Sequence, residues 1–363
     1  MQRAYFDHNA TTPLAEPVLA AIAACLRDTF GNASSIHQDG QRARQAIEAA
    51  RRTIAVKVGA KPEEVILTSG ATEAANLALF GLRPRHVVTT AIEHPAVLHT
   101  CRELPDSTVV RVGSDGVVDP DDVRRALRPD TDLVAVMAVN NELGTIQPIA
   151  EISALGVPVM SDQVQALGKI DLPRADIRIF SAHKVYGPKG AGALVVRKGI
   201  TLQPTVFGGR HERGRRPGTE NVAGAVGFGA AVANLPTDTA RIATLRDRLE
   251  SAILDRVPGA RVNAAHAPRV ANTTNIRFEG IEGEALLIAL DLAGFAVSSG
   301  AACSSGAVEP SHVLTAIGLS KEEAKSSLRF SLGASNTVEQ VDRLVAAVAH
   351  SVERLRKLSP VYA

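Results

Sequence analysis

Between residues 60 and 200 the chain alternates short runs of β-branched and other apolar residues with stretches of helical spacing. The runs at 65–68, 86–91, 132–139, 157–161, 178–181 and 192–197 are mostly continuous in apolar side chains. That is the pattern of strands covered on both faces. Helical spacing fills 72–80 and 120–127 between them, and 41–58 reads as a longer amphipathic helix ahead of the first strand. Such alternation predicts an α/β domain built on a largely parallel sheet. The pattern changes after Gly199. Segment 207–221, FGGRHERGRRPGTEN, has no apolar period and is rich in glycine and arginine, which predicts an extended surface loop. Beyond it, helices are expected at 241–257, 283–292 and 337–358, and strands at 271–278 and 327–331. In the last helix Val338, Val341, Leu344, Val345, Val348, Val352 and Leu355 fall on one stripe. These elements predict a second, smaller α+β unit.

Composition narrows the class. A chain of 363 residues suits two domains, at about 150 residues each. Lys and Arg number 40 against 38 Asp and Glu, a net charge of +2, so no large field draws in nucleic acid or an anionic membrane. The arginines of 210–216 have no interleaved aromatic residues, and they are expected to be solvated or to cross a dimer interface. Cys25, Cys101 and Cys303 are widely spaced and form no CxxC pair, which argues against a disulfide framework or zinc knuckle and fits a reducing compartment. The opening MQRAYFDHNATTP lacks the layout of a signal peptide. The longest apolar runs, 18–26 and 133–139, fall short of the roughly 20 residues of a membrane span. A cytoplasmic, globular protein is expected.

Ligands of open α/β sheets collect at the carboxyl ends of the strands. After the strand at 65–68 comes Ser69-Gly70-Ala71-Thr72-Glu73, a small-residue turn into a helix, suited to an anion. The later strand ends carry Glu93-His94, Asn140-Asn141-Glu142, Asp162 with Gln165, and the run Ser181-Ala182-His183-Lys184. Anion cradle, carboxylate, imidazole and lysine at one sheet edge are the set that pyridoxal 5′-phosphate requires. The lysine forms the Schiff base, the carboxylate keeps the pyridine nitrogen protonated, hydroxyls and N–H groups hold the phosphate, and a flat side chain covers the ring. No Cys/His cluster or HxxxH pair calls for a metal. His37, His86, His99 and His211 read as surface or packing residues, Cys25 as a packed residue on the apolar face of 15–26, and Cys101 has no assigned role.

The chain resembles the cysteine desulfurases of the class-V aminotransferase group, of the nitrogen-fixation and housekeeping iron–sulfur type. The resemblance rests on FDHNATTP at 6–13, TSGATE at 68–73, Glu93-His94, Asn140-Asn141-Glu142, SAHKVYGPKG at 181–190, GRRPGT at 214–219 and SSGAACSS at 298–305, and it spans nearly the whole chain. It implies an aminotransferase type I-like, pyridoxal-phosphate-dependent transferase fold. The large domain, at 13–245, would hold a mostly parallel seven-stranded sheet, and a smaller α+β domain would combine 1–12 with 246–363. By resemblance, Lys184 is the Schiff-base lysine and moves the Cα proton, Asp162 pairs with the pyridinium, Gln165 bonds the ring hydroxyl, and His94 stacks on the ring and assists proton transfer. Ala71, Thr72, Ser181 and His183 hold the phosphate, with Thr219 arriving from the partner of a homodimer. Asn141 and Arg329 bind the substrate, Arg329 forking onto its carboxylate.

Cys303 would take the sulfur of L-cysteine as a persulfide, leaving L-alanine, and pass it to an acceptor such as an iron–sulfur scaffold. The residues themselves support this role. SSGAACSSG at 298–306 has no side chain large enough to anchor a core, so an exposed, mobile thiol is expected there. One departure is Gln163-Val164, standing where the family has small residues between the aspartate and the glutamine. The spacing is kept, so the roles are expected to survive, with altered packing beneath the ring. Two rivals are a selenocysteine lyase or other class-V aminotransferase, which needs no cysteine at 303, and a sulfur-assembly scaffold that has lost the chemistry.

Overall fold

β-Branched and small apolar side chains make the centre of the molecule, because they pack well on a pleated surface covered from both sides. The computed structural model describes residues 3–299 and 309–358; Cys303 lies outside them. Strand β1 (Ala4–Tyr5) and helices α1 (Glu16–Asp28) and α2 (Gln38–Lys57) lead into the sheet. Its strands and connecting helices follow in chain order: β2 (Val65–Thr68), α3 (Ala71–Leu82), β3 (His86–Thr90), α4 (Pro95–Arg102), β4 (Ser107–Val110), α5 (Pro120–Ala126), β5 (Thr131–Ala135), α6 (Ile149–Ser153), β6 (Val159–Asp162), β7 (Ile177–Ser181) and β8 (Gly192–Val196). The seven strands lie in the order β2-β8-β7-β6-β5-β3-β4. Those from β7 to β4 pair in parallel, and β8 runs antiparallel to both β7 and β2. Neighbouring residues serve opposite faces. Ile66, Ile179 and Leu194 pack with the apolar side of α3, while Val65, Phe180 and Val195 pack with Val18, Ile54 and Phe228.

Two expectations change. Strand β4 was not evident in the sequence, because it is a half-exposed edge strand that opens on Ser107-Thr108 and buries only Val110. Segment 207–221 is not a free surface loop. It contains a short 3-10 turn, His211–Gly214, whose Glu212 is buried and receives two hydrogen bonds from Arg51, at 2.6 and 2.8 Å. Leu67 N–H donates to the same carboxylate at 3.1 Å. An ion pair with these extra bonds is what allows the charge to be buried.

Helices α7 (Val222–Ala233) and α8 (Thr239–Arg256), strands β9 (Ala260–Val262) and β10 (Thr273–Phe278), helix α9 (Gly283–Leu292), strand β11 (Phe295–Ala296), helices α10 (His312–Ala316) and α11 (Lys321–Lys325), strand β12 (Ser327–Ser331) and helix α12 (Val338–Leu358) complete the chain. Strands β12-β10-β9 form an antiparallel sheet. The apolar stripe of α12 packs there with Ile242, Leu245, Leu249 and Ile253 of α8, a helix that spans the division expected at 245. The N-terminal segment joins this unit through β1, which pairs with β11, and through the fully buried Phe6. It then continues to the carboxyl edge of the large sheet, where Thr12 N–H donates to His183 O at 2.9 Å. None of the described helices is long and apolar enough to cross a membrane.

Candidate active site

Because β2, β3, β5, β6 and β7 run the same way, the segments that follow them meet at one edge. They surround a cavity of about 530 Å³, within the range of small-molecule sites. Ala71, Thr72, His94, Asn141, Asp162, Gln165, Ser181, His183, Lys184 and Arg329 all line it. Thr219 lies next door, in a cavity that shares Ser69 and Gly190 with this one.

One end of the cavity suits an anion. Helix α3 begins at Gly70 with no side-chain cap, so the N–H groups of its first turn are unspent. The turn can lie this close to the sheet because position 192 is glycine. A Cβ there would sit 2.6 Å from Gly70 Cα and 2.7 Å from Phe180 O. Glu73 accepts from Ser69 N–H and from Arg216 Nε, each at 2.6 Å. Burial works against its charge, but these bonds hold its carboxyl below the ordinary range. His183 Nδ1 lies 3.1 Å from Thr11 Oγ1, and burial, helped by Lys184, pulls its pKa down to about 4.

The other end gathers charge. Lys184 Nζ donates to the carbonyls of Asn9 and Ala10 at 2.8 and 2.7 Å. Burial and then Arg329 bring its pKa down to about 8, against the pull of Asp162 and Asp7. Asp162 ends β6 and, among the described residues, takes one side-chain hydrogen bond, from Val164 N–H at 2.9 Å; burial raises its pKa to about 6. Gln163, the other residue of the departure from the family pattern, is buried and donates to Pro173 O at 2.8 Å. His94 caps α4 by accepting from Ala96 N–H at 3.1 Å. Its ring is exposed to the open cavity, and the protein packed around it, then Lys184, lowers its pKa to about 4. Arg329 spends its fork on Asn141 O at 2.9 Å and Asp7 Oδ1 at 2.7 Å. Asn141 Oδ1 and Arg329 Nε have no partner among the described residues. A carboxylate bound by Arg329 would therefore exchange with Asp7.

Several participants carried no assigned role in the sequence. Asn9 sits within FDHNATTP, and Lys169 stands four residues after Gln165, a spacing that could have signalled it. Glu93 and Glu142 were noted as strand-end residues, but only the fold shows that both are buried. Burial raises their pKa values to about 8 and about 7. The described residues on both sides of 300–308, the segment that holds Cys303, reach this site. Ser298 bridges to Arg329, Ser311 Oγ donates to Glu142 at 2.5 Å, and His312 Nε2 lies 2.9 Å from Glu93 O.

The residues present fit pyridoxal phosphate. An uncapped helix start offers N–H groups to the phosphate, a buried carboxylate with a single hydrogen bond among the described residues suits a pyridinium, and a lysine of lowered pKa lies within the same cavity. The pattern of the family described as aminotransferase class-V matches residues 4–344. The cysteine desulfurase IscS of Dictyoglomus turgidum is 42% identical, over 98% of this chain and 96% of its own. A solved NifS-like protein superposes with a TM-score of 0.90 at 35% identity, covering 98% of this chain and all of that one. Another solved relative, SspA in complex with cysteine, gives 0.82 at 36% identity over 90% of this chain and 98% of its own. With agreement of this extent in sequence and in structure, the chain belongs to the class-V aminotransferase family, in its pyridoxal-phosphate-dependent cysteine desulfurase branch.

Proposed function

We propose that this cysteine desulfurase converts L-cysteine to L-alanine in the cavity around Lys184 and delivers the sulfur to Cys303. The observation that carries the reading is a lysine of lowered pKa in one cavity with Asp162, Arg329 and the uncapped start of α3. When bound, pyridoxal phosphate supplies an aldehyde that reacts with amines and a ring that draws electrons from the substrate Cα.

Each residue then has a definite task. Ala71, Thr72, Ser181 and His183 hold the phosphate, and Thr219 of a second copy completes that site in a homodimer. Asp162, ionised above its pKa of about 6, keeps a proton on the ring nitrogen. Gln165 bonds the ring oxygen, and the His94 imidazole, neutral at physiological pH, covers the ring. Lys184 would hold the cofactor, and its free amine is placed to take the Cα proton and later return it, a role helped by a pKa near 8. Arg329 and Asn141 orient the substrate carboxylate. The Cys303 thiolate attacks the substrate sulfur, so that an S–S bond forms as the Cβ–S bond breaks. The bonding pair stays with the substrate carbon, which takes up a proton and becomes the methyl group of alanine. The persulfide then passes to a sulfur acceptor in the cytoplasm, such as an iron–sulfur scaffold.

The test is an assay of alanine and sulfide from L-cysteine, with a visible spectrum taken alongside. Lys184→Ala is expected to lose both the turnover and the visible band. Cys303→Ala is expected to keep the band and lose the sulfide. Unchanged turnover in Cys303→Ala would refute the role of that thiol.

A further inference from the structure

A lysine that this chemistry leaves unused stands beside the cavity. The stem of Lys169 is half-buried and its ammonium lies deep in the protein, where Nζ donates to Gln165 Oε1 at 2.5 Å and to Asn9 Oδ1 at 2.9 Å. These contacts decide which way the Gln165 amide points. Its oxygen faces Lys169, so its nitrogen faces the other way and donates to Asn9 O at 2.9 Å. Turned over, the amide would set N–H against an ammonium and a lone pair against a carbonyl. Asn9 cannot flip either: Oδ1 also accepts from Asn272 Nδ2 at 3.0 Å, and its Nδ2 donates to Thr273 Oγ1 at 2.8 Å and Asn141 O at 3.1 Å. The carbonyl of Asn9 that receives Gln165 is the one that receives Lys184 Nζ. Gln165 lines the cofactor cavity, and its amide retains a second N–H.

Charged and titratable groups approach Lys169 from several elements. Lys184 comes from the turn after β7, Arg329 from β12 and His8 from the N-terminal segment, Asp238 at the start of α8 lines a neighbouring cavity with Lys169, and Asp162 and Asp7 act on Lys184. Burial, then Lys184, then Arg329, lowers the pKa of Lys169 to about 7. Part of that repulsion would lift with the cofactor held at Lys184, whose nitrogen would then lose its ammonium charge. Lys169 then remains, with Arg329, a cation beside the cavity, one hydrogen bond from Gln165.

We infer that Lys169 is a positioning residue: acting through Gln165 and Asn9, it presents the Gln165 N–H to the cofactor's ring oxygen and holds the Lys184 nitrogen toward its unprotonated form. The inference rests on the reading of Lys184 as the cofactor-bearing lysine.

The experiment is a pH titration of the visible absorbance of the holoenzyme, with thermal unfolding measured in parallel. Removing a nearby positive charge favours the protonated form. Lys169→Met is therefore expected to move the titration midpoint upward by about one pH unit, whereas Lys169→Arg, which keeps charge and donors, stays close to wild type. Lys169→Gln keeps a hydrogen-bonding side chain without charge and replaces the methionine variant should that one fail to fold. A lowered melting temperature with an unmoved midpoint would reduce Lys169 to a structural role and overturn the inference. Equal shifts in the arginine and uncharged variants would do the same. A visible band that survives in Lys184→Ala would instead overturn the functional reading, and the inference with it.

Discussion

Single buried groups give this site its character. Glu93 accepts from Thr90 Oγ1 at 2.7 Å and Met137 N–H at 3.0 Å on one carboxylate oxygen, while the other has no partner among the described residues. Burial raises its pKa to about 8, the two hydrogen bonds resist, and Asp162 adds to the rise. The folded protein thus holds a proton that the unfolded chain, titrating near the ordinary glutamate value, has already released. Between about pH 4.5 and 8 the native state binds more protons at this position, so stability falls as pH rises through that window. Glu93→Gln, which is always neutral, removes this dependence. Urea unfolding of the apoprotein at several pH values is expected to show wild type losing stability relative to the variant by up to ~1.4 kcal/mol per pH unit. Parallel curves would show that Glu93 is ionised in the native state.

At the scale of elements, the start of α3 and the loop beside it depend on close approach and on a buried pair. Gly192 lies between Thr68 of β2 and Ser181 of β7. The added methyl of Gly192→Ala would meet backbone rather than a yielding side chain. The strand or the turn must shift, at a cost of about 1–3 kcal/mol. Less cofactor bound per subunit, read from the visible band, is expected together with a lower melting temperature. Glu212 anchors the arginine-rich segment that carries Thr219. Glu212→Ala leaves the buried Arg51 guanidinium and the Leu67 N–H without their carboxylate. Breaking a buried pair from one side costs about 3–5 kcal/mol. Denaturant unfolding checks the value, and a change below 1 kcal/mol would mean that the segment is held by other contacts.

At the scale of the whole molecule, one thread of chain links the two units. Phe6 is packed in the core of the smaller one, Asp7 holds Arg329, and Asn9 and Ala10 hold Lys184. The lysine and the arginine proposed to bracket the substrate are thus positioned by one segment of four residues or so, although they lie far apart in the chain. Ile36 and Phe207 remain 90% and 84% exposed in the single chain. Such exposure of large apolar groups fits burial against a second copy. Sedimentation is expected to give a dimer, and Ile36→Glu with Phe207→Glu is expected to weaken it and to lower cofactor retention, since Thr219 would no longer reach the neighbouring site. A monomeric wild type that binds cofactor fully would count against the shared site.

The pattern of residues by itself determined the kinds of element and the chemistry at their ends. β-Branched runs and helical spacing are local signals, and Ser69–Thr72, His94, Asp162 and Lys184 each follow a strand that the pattern reveals. Local signals do not specify what surrounds a residue. The edge strand at Ser107–Val110, the burial of Glu93 and Glu212, the union of Asn9 with Lys169 and Gln165, and the pairing of Arg329 with Asp7 all come from segments distant in sequence. Only the tertiary structure decided these, because desolvation and hydrogen bonding depend on neighbours in space, and those interactions set which protons the site holds.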